Sequence, residues 1–161
     1  MLEIRKATKV DFDAIWEIFH EVVRKGETFV NDPATTKEEA RAFWMADGIA
    51  TYVASLDGQI VGSYILKANQ PGLGSHVANA GYIVKSGVEG KGIGRAMCEH
   101  SMSEARNAGF TAMQFNMVVS RNERAVALWK SLGFSIVGTL PKAFRHKTLG
   151  LVDAYVMHRF L

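Results

Sequence analysis

The segment Glu89-Gly90-Lys91-Gly92-Ile93-Gly94-Arg95 constrains this chain more than any other. It follows an apolar run containing Tyr82, Ile83 and Val84, and it opens a stretch from Gly92 to Ala108 with helical spacing, stopped by Gly109. Glycines let a backbone approach a ligand closely and adopt φ > 0 at little cost. The unpaired N–H groups of a first helical turn, reinforced by the helix dipole, then favour an anion. A pyrophosphate suits such a turn, and Lys91 and Arg95 would add charge-assisted contacts. Two other glycine motifs fail. A P-loop needs Ser or Thr after Gly-Lys, and Gly92 stands there; the dinucleotide fingerprint needs a third glycine where Met97 stands. Taken alone, the segment also admits the plainer reading of a tight strand–helix turn with no ligand.

The remaining elements surround this turn. Alternation predicts strands near 2–7, 50–55, 59–67, 78–85, 110–118, 134–140 and 151–160. Asp57-Gly58 is a hairpin signal between the second and third. Helices are predicted across 12–24, capped by Asp11 and ended by Gly26, and near 36–46, where Thr36 and Glu39 form a capping-box pattern. A further helix starts at Ser120 with Glu123 and ends at Gly133. There is no repeat, linker or low-complexity tract, so residues 1–161 read as one domain. The fold class is α/β, a mixed, mostly antiparallel sheet of about seven strands flanked by about four helices.

Composition narrows the partners. With 48% hydrophobic and 22% charged residues the chain is an ordinary globular one. A net charge of +3 suits an anionic ligand but not nucleic acid, which calls for a concentrated basic stripe. The short cluster Lys142, Arg145, His146 and Lys147 reads as solvated surface or a phosphate contact. The single cysteine, Cys98, excludes an internal disulfide and a Cys-rich metal site, and its apolar helical setting suits a packed thiol. No apolar run is long enough to span a membrane and the N-terminus is not a signal peptide, which makes the cytoplasm the default compartment.

The glycine turn resembles motif A of the GNAT superfamily of acetyl-CoA-dependent N-acetyltransferases, Gln/Arg-x-x-Gly-x-Gly/Ala, here Glu89-x-x-Gly92-x-Gly94. Asn122-Glu123-Arg124-Ala125-Val126-Ala127-Leu128-Trp129-Lys130-Ser131-Leu132-Gly133-Phe134 is similar to motif B, Asn-x-x-Ala-x-x-Leu-Tyr-x-x-x-Gly-Phe. The resemblance implies a GNAT-like fold and acetyl-CoA as co-substrate, with no metal. It implies that the backbone of Tyr82, Ile83 and Val84 pairs with the pantetheine arm, with the Tyr82 N–H near the acetyl carbonyl as an oxyanion donor. The amides of Gly90, Lys91, Gly92, Ile93, Gly94 and Arg95 would hold the pyrophosphate, and Asn122 would reach the pantetheine or phosphate end. Two departures stand out. Glu89 replaces Gln or Arg and is expected to point away from the phosphates. Trp129 replaces the Tyr proposed as general acid, and an indole donates without being a useful acid.

The acceptor implied is a small-molecule amine. Glu27, in the loop Gly26-Glu27-Thr28-Phe29 where the superfamily builds its acceptor pocket, is a candidate base, against the plainer reading of a solvated acid. His76, before the cofactor strand, is a further candidate at the pocket rim or else a surface residue. Asn is depleted in strands, so Asn79 and Asn116 each call for a reason: a hydrogen-bonded structural amide, or acceptor binding where two strands diverge. With Glu27, Thr28, Phe29, Phe43-Trp44-Met45 and Asn122, these asparagines resemble the fungal branch that acetylates proline analogues such as azetidine-2-carboxylate. In that branch strand asparagines hold the carboxylate and ring. A non-catalytic acyl-CoA-binding domain, an acetyltransferase of protein amines, and a homodimeric assembly stay open alongside.

Overall fold

A computed structural model describes residues 1–161. Its elements run β1 (Leu2–Lys6), α1 (Phe12–Lys25), α2 (Lys37–Trp44), β2 (Ala50–Leu56), β3 (Gln59–Ala68), β4 (Val77–Val84), α3 (Ile93–Asn107), β5 (Ala112–Val119), α4 (Glu123–Ser131), β6 (Ser135–His146) and β7 (Gly150–Phe160). The seven strands form one sheet in the order β1-β2-β3-β4-β5-β7-β6, antiparallel throughout except between β4 and β5. The four helices divide over its two faces. One core packs α3 and α4 on Tyr64, Ala80, Phe115 and Met157; the other packs α1 and α2 on Val53, Ile65 and Ile83.

Local chemistry sets the element ends. Asp57 and Gly58 both take positive φ, 50° and 82°, the pairing a two-residue hairpin turn requires. Gly26 closes α1 in the left-handed region, and the Thr36–Glu39 capping box forms at α2. Two caps differ from expectation. Asp11 does not cap α1 with its side chain: its carboxylate receives Arg5 through two 2.8 Å bonds and also accepts the Thr8 N–H at 2.7 Å. α4 starts from Asn122 rather than Ser120, because the Asn122 Oδ1 accepts the Ala125 N–H. The sixth strand runs to His146, six residues past its expected end, around an irregularity between Leu140 and Phe144. The basic cluster therefore belongs to the β6–β7 hairpin. Lys147 ties that hairpin to α1, donating from Nζ to the Arg24 carbonyl at 3.2 Å.

The sheet is split at its centre. β4 and β5 pair only at Val77–Ala112 and Ala78–Met113, then separate. β5 carries an irregularity between Phe115 and Val118 on its β7 side, which bends and twists a strand. The gap between the two strands is the site.

Candidate active site

The two strands and the helix starts above them enclose a cleft of about 850 Å³, within the range of small-molecule sites. Its first wall is the free edge of β4. The Val77 carbonyl accepts from Asn69 of the β3 side, and the Lys85 N–H donates to Val61 of β3. Backbone groups alternate along a strand, so odd-numbered residues of β4 pair with β3 and even-numbered ones face the gap. Past Ala78 there is no β5 partner, which leaves the N–H groups of Ala80, Tyr82 and Val84 pointing into the cleft unpaired.

The second wall is the glycine turn. Gly90 and Gly92 hold φ of 79° and 75°, where a side chain is strained, and Gly92 is the N-cap of α3. The first bond closing this end runs from Ala96 N–H to the Gly92 carbonyl at 2.9 Å. No protein acceptor takes the N–H groups of Gly90 to Arg95, so the amides and the positive end of α3 face the cleft together. Gly94 faces α4, where a Cβ would stand in contact with Leu128 at 3.4 Å.

Charges around the turn are sorted by these contacts. The Glu89 carboxylate folds back to accept the Gly87 N–H at 2.8 Å, and backbone N–H bonds hold it below the usual carboxylate range. Arg95 is partly committed elsewhere, donating to Ser131 Oγ at 2.7 Å beside Glu99. The Lys91 side chain is exposed and lies outside the cleft lining. Arg124, which the sequence reading left aside, lines the cleft with its guanidinium 3.6 Å from where a Gly90 Cβ would stand. Its one signal in the sequence is its place two residues after Asn122. Asn122 commits its oxygen to the α4 cap but lines the cleft.

The floor is aromatic. Trp129 is 9% exposed and packs on Tyr82 and Phe115, with ring centroids 5.1 and 5.0 Å apart. The Tyr82 hydroxyl is bonded to Ser101 Oγ at 2.7 Å, and burial pushes it well above the ordinary tyrosine range. It stays neutral and bonded into α3, so Tyr82 offers the cleft its backbone N–H and no acid. Cys98 is packed beneath and burial pushes its thiol up to about 11, which leaves it inert.

At the far end Phe29 leans over Gly81, where a Cβ would meet its ring at 3.6 Å. Thr28, Asn31, Phe43, Lys67, Asn79 and Asn116 complete this end. Asn79 and Asn116 do converge at the divergence of the strands. Asn79 Nδ2 donates to the Gln114 carbonyl at 3.0 Å, while Asn116 bonds Asn69 at 2.7 Å and Gln114 at 2.9 Å. Glu27 and His76 are exposed and neither lines the cleft. The loop turns Thr28 and Phe29 inward and Glu27 outward, because the left-handed Gly26 reverses the chain just before it.

Comparison with known proteins agrees with this geometry. Residues 12–134 match the model of the Acetyltransferase (GNAT) family. The chain is 30% identical over 151 residues to N-acetyltransferase aca1 of Schizosaccharomyces pombe, spanning 83% of this chain and 72% of that protein. It is 30% identical to the L-amino acid N-acetyltransferase AaaT of Escherichia coli, spanning 97% and 96%. Among solved structures, a GCN5-related N-acetyltransferase from Kribbella flavida superposes with a TM-score of 0.95 at 45% identity, covering 99% and 98%. YncA of Salmonella typhimurium, solved with acetyl-CoA, superposes with a TM-score of 0.88 at 25% identity, covering 100% and 94%. The bared amides, the split sheet and these matches agree: the chain belongs to the acetyltransferase (GNAT) family and is an acetyl-CoA-dependent N-acetyltransferase.

Proposed function

We propose that the enzyme acetylates the amine of a small amino acid by direct attack within a ternary complex, with proline analogues such as azetidine-2-carboxylate among its acceptors. The carrying observation is the unpaired, gap-facing N–H of Tyr82, set between the amide-lined glycine turn and the polar chamber under Phe29. The amides of Gly90 to Arg95, joined by Arg124 and the Asn122 amide, receive the pyrophosphate end of acetyl-CoA. The free edge of Ala80, Tyr82 and Val84 pairs with its pantetheine arm as an added strand would.

The acceptor enters as a neutral amine. Its nitrogen attacks the thioester carbon, the carbonyl oxygen becomes an oxyanion on the Tyr82 N–H, and collapse breaks the C–S bond. The nitrogen releases one proton to water, and the departing thiolate takes one from water. Orientation of the two reactants supplies up to roughly 7–11 kcal/mol in favourable cases, and one oxyanion donor about 3 kcal/mol. Those contributions matter here because no Asp, Glu or His lines the acceptor end. Names among the relatives support the acceptor class: one is an L-amino acid N-acetyltransferase, and another acts on L-methionine sulfoximine and L-methionine sulfone.

Acceptor-dependent thiol release from acetyl-CoA tests this reading, with a panel of amino acids, proline analogues, methionine sulfoximine, polyamines and a peptide. Release with amino acids is the expected result. Release with the peptide alone would point to a protein amine. Trp129 in the family's acid position favours a second reading, a domain that binds acyl-CoA without turnover; CoA binding with no release for any acceptor would support it.

A further inference from the structure

The charged residues lining the cleft divide by position. Glu89, Arg95 and Arg124 border the glycine turn, and Lys67 is the one charged residue at the acceptor end. Lys67 is half-buried and enters no ion pair. A cation lining a largely apolar cleft gains from an anionic partner there, because a charge in a poorly solvated setting is stabilised by pairing.

The sheet register sets what Lys67 faces. It stands directly opposite Asn79 across β3 and β4, so the two side chains leave the same face about 5 Å apart at Cβ. Gly81, two residues along that face, carries the Phe29 roof. The two asparagines offer an anion only neutral donors, one free N–H each. Asn79 has given one N–H of its Nδ2 to the Gln114 carbonyl, which leaves one neutral N–H and the Oδ1 acceptor. Asn116 donates from Nδ2 to Asn69 and accepts at Oδ1 from Gln114. An acceptor carboxylate therefore meets one ready cation, Lys67, while its amine meets the Asn79 Oδ1.

Resting on the amino-acid reading above, we propose that Lys67 binds the acceptor's carboxylate and makes a free carboxylate beside the amine the condition for efficient turnover. Polyamines are repelled at this end, and peptide amino termini lack the anion. The specificity resides in one strand residue whose charge is answered only by substrate.

The test compares kcat/KM for matched acceptors, a free amino acid and its carboxamide, in wild type, Lys67→Met and Lys67→Arg. Comparing the same pair in each variant cancels the difference in their amine basicity. The wild type is expected to favour the free acid. Lys67→Met should cut that preference about 10- to 100-fold, the scale of a charged hydrogen bond, through KM for the acid. Lys67→Arg should restore part of it, and an unchanged KM for acetyl-CoA reports the fold. Efficient amino-acid turnover with the same acid-to-amide ratio in Lys67→Met overturns the role of Lys67 alone. A wild type that turns over no amino acid overturns the acceptor reading and this inference together.

Discussion

Asn79 Nδ2 reaches the Gln114 carbonyl at 3.0 Å, bridging β4 and β5 just beyond their last paired residues. The bond sits at the apex of the cleft and satisfies a carbonyl that the diverging strand can no longer pair. One asparagine thus holds the geometry of the split and presents its oxygen to the acceptor end.

Replacing Asn79 with Ala removes both contributions. Stability should fall by about 1 kcal/mol, the net worth of one hydrogen bond, measurable by urea denaturation. Acceptor KM should rise about tenfold or more while KM for acetyl-CoA changes little. Asn116→Ala, whose side chain is engaged at both its oxygen and its nitrogen by Gln114 and Asn69, should have the smaller effect of the two on acceptor KM.

Gly92 presents its α-carbon to open space: a Cβ there would meet no protein atom within 4 Å, and the residue lines the cleft. Gly92→Val should leave the protein folded, at a cost of roughly 1–2 kcal/mol for a branched residue at positive φ, yet abolish coenzyme A binding by calorimetry. Gly94→Val should also abolish binding, with a further loss of stability because its Cβ starts 3.4 Å from Leu128. Wild-type affinity in a folded Gly92→Val protein would contradict the amide-cradle reading.

Trp129 acts here through packing. Trp129→Phe should keep kcat within a few-fold, because the indole is no acid, while stability drops by about 1–3 kcal/mol through the vacated volume between Tyr82 and Phe115. A thousandfold loss of kcat with coenzyme A affinity intact would show that the indole N–H takes part in the reaction.

Asp11 links the start of α1 to β1. Arg5, followed by the Thr8 N–H and hydroxyl, holds its carboxyl well below the usual carboxylate range. A depressed folded-state pKa stabilises the protein above the unfolded value, near 3.9, and that stabilisation is lost as pH falls below it. Asp11→Asn should therefore cost about 1–2 kcal/mol at neutral pH, discounted for the exposed Arg5. The gap between wild type and variant should narrow steadily below about pH 4. A gap independent of pH would show that the ion pair contributes nothing.

The sequence by itself determined what depends on neighbours along the chain. The Asp57-Gly58 turn, the Gly26 and Gly109 helix stops, the glycine turn at residues 89–95 and the packed Cys98 were all legible, because φ > 0, capping and apolar periodicity are local properties. Glycines before a helix likewise announced a turn with bared amides. Only the tertiary structure decided which side chains serve it. Glu27, on paper either a base or a solvated acid, is exposed; Arg124 drew no notice and lines the cleft beside the glycine turn; Lys67 carried no signal until the β3–β4 register set it opposite Asn79. Those placements depend on strand register and on the parting of β4 from β5. Both are fixed by contacts between residues far apart in sequence, which no local pattern encodes.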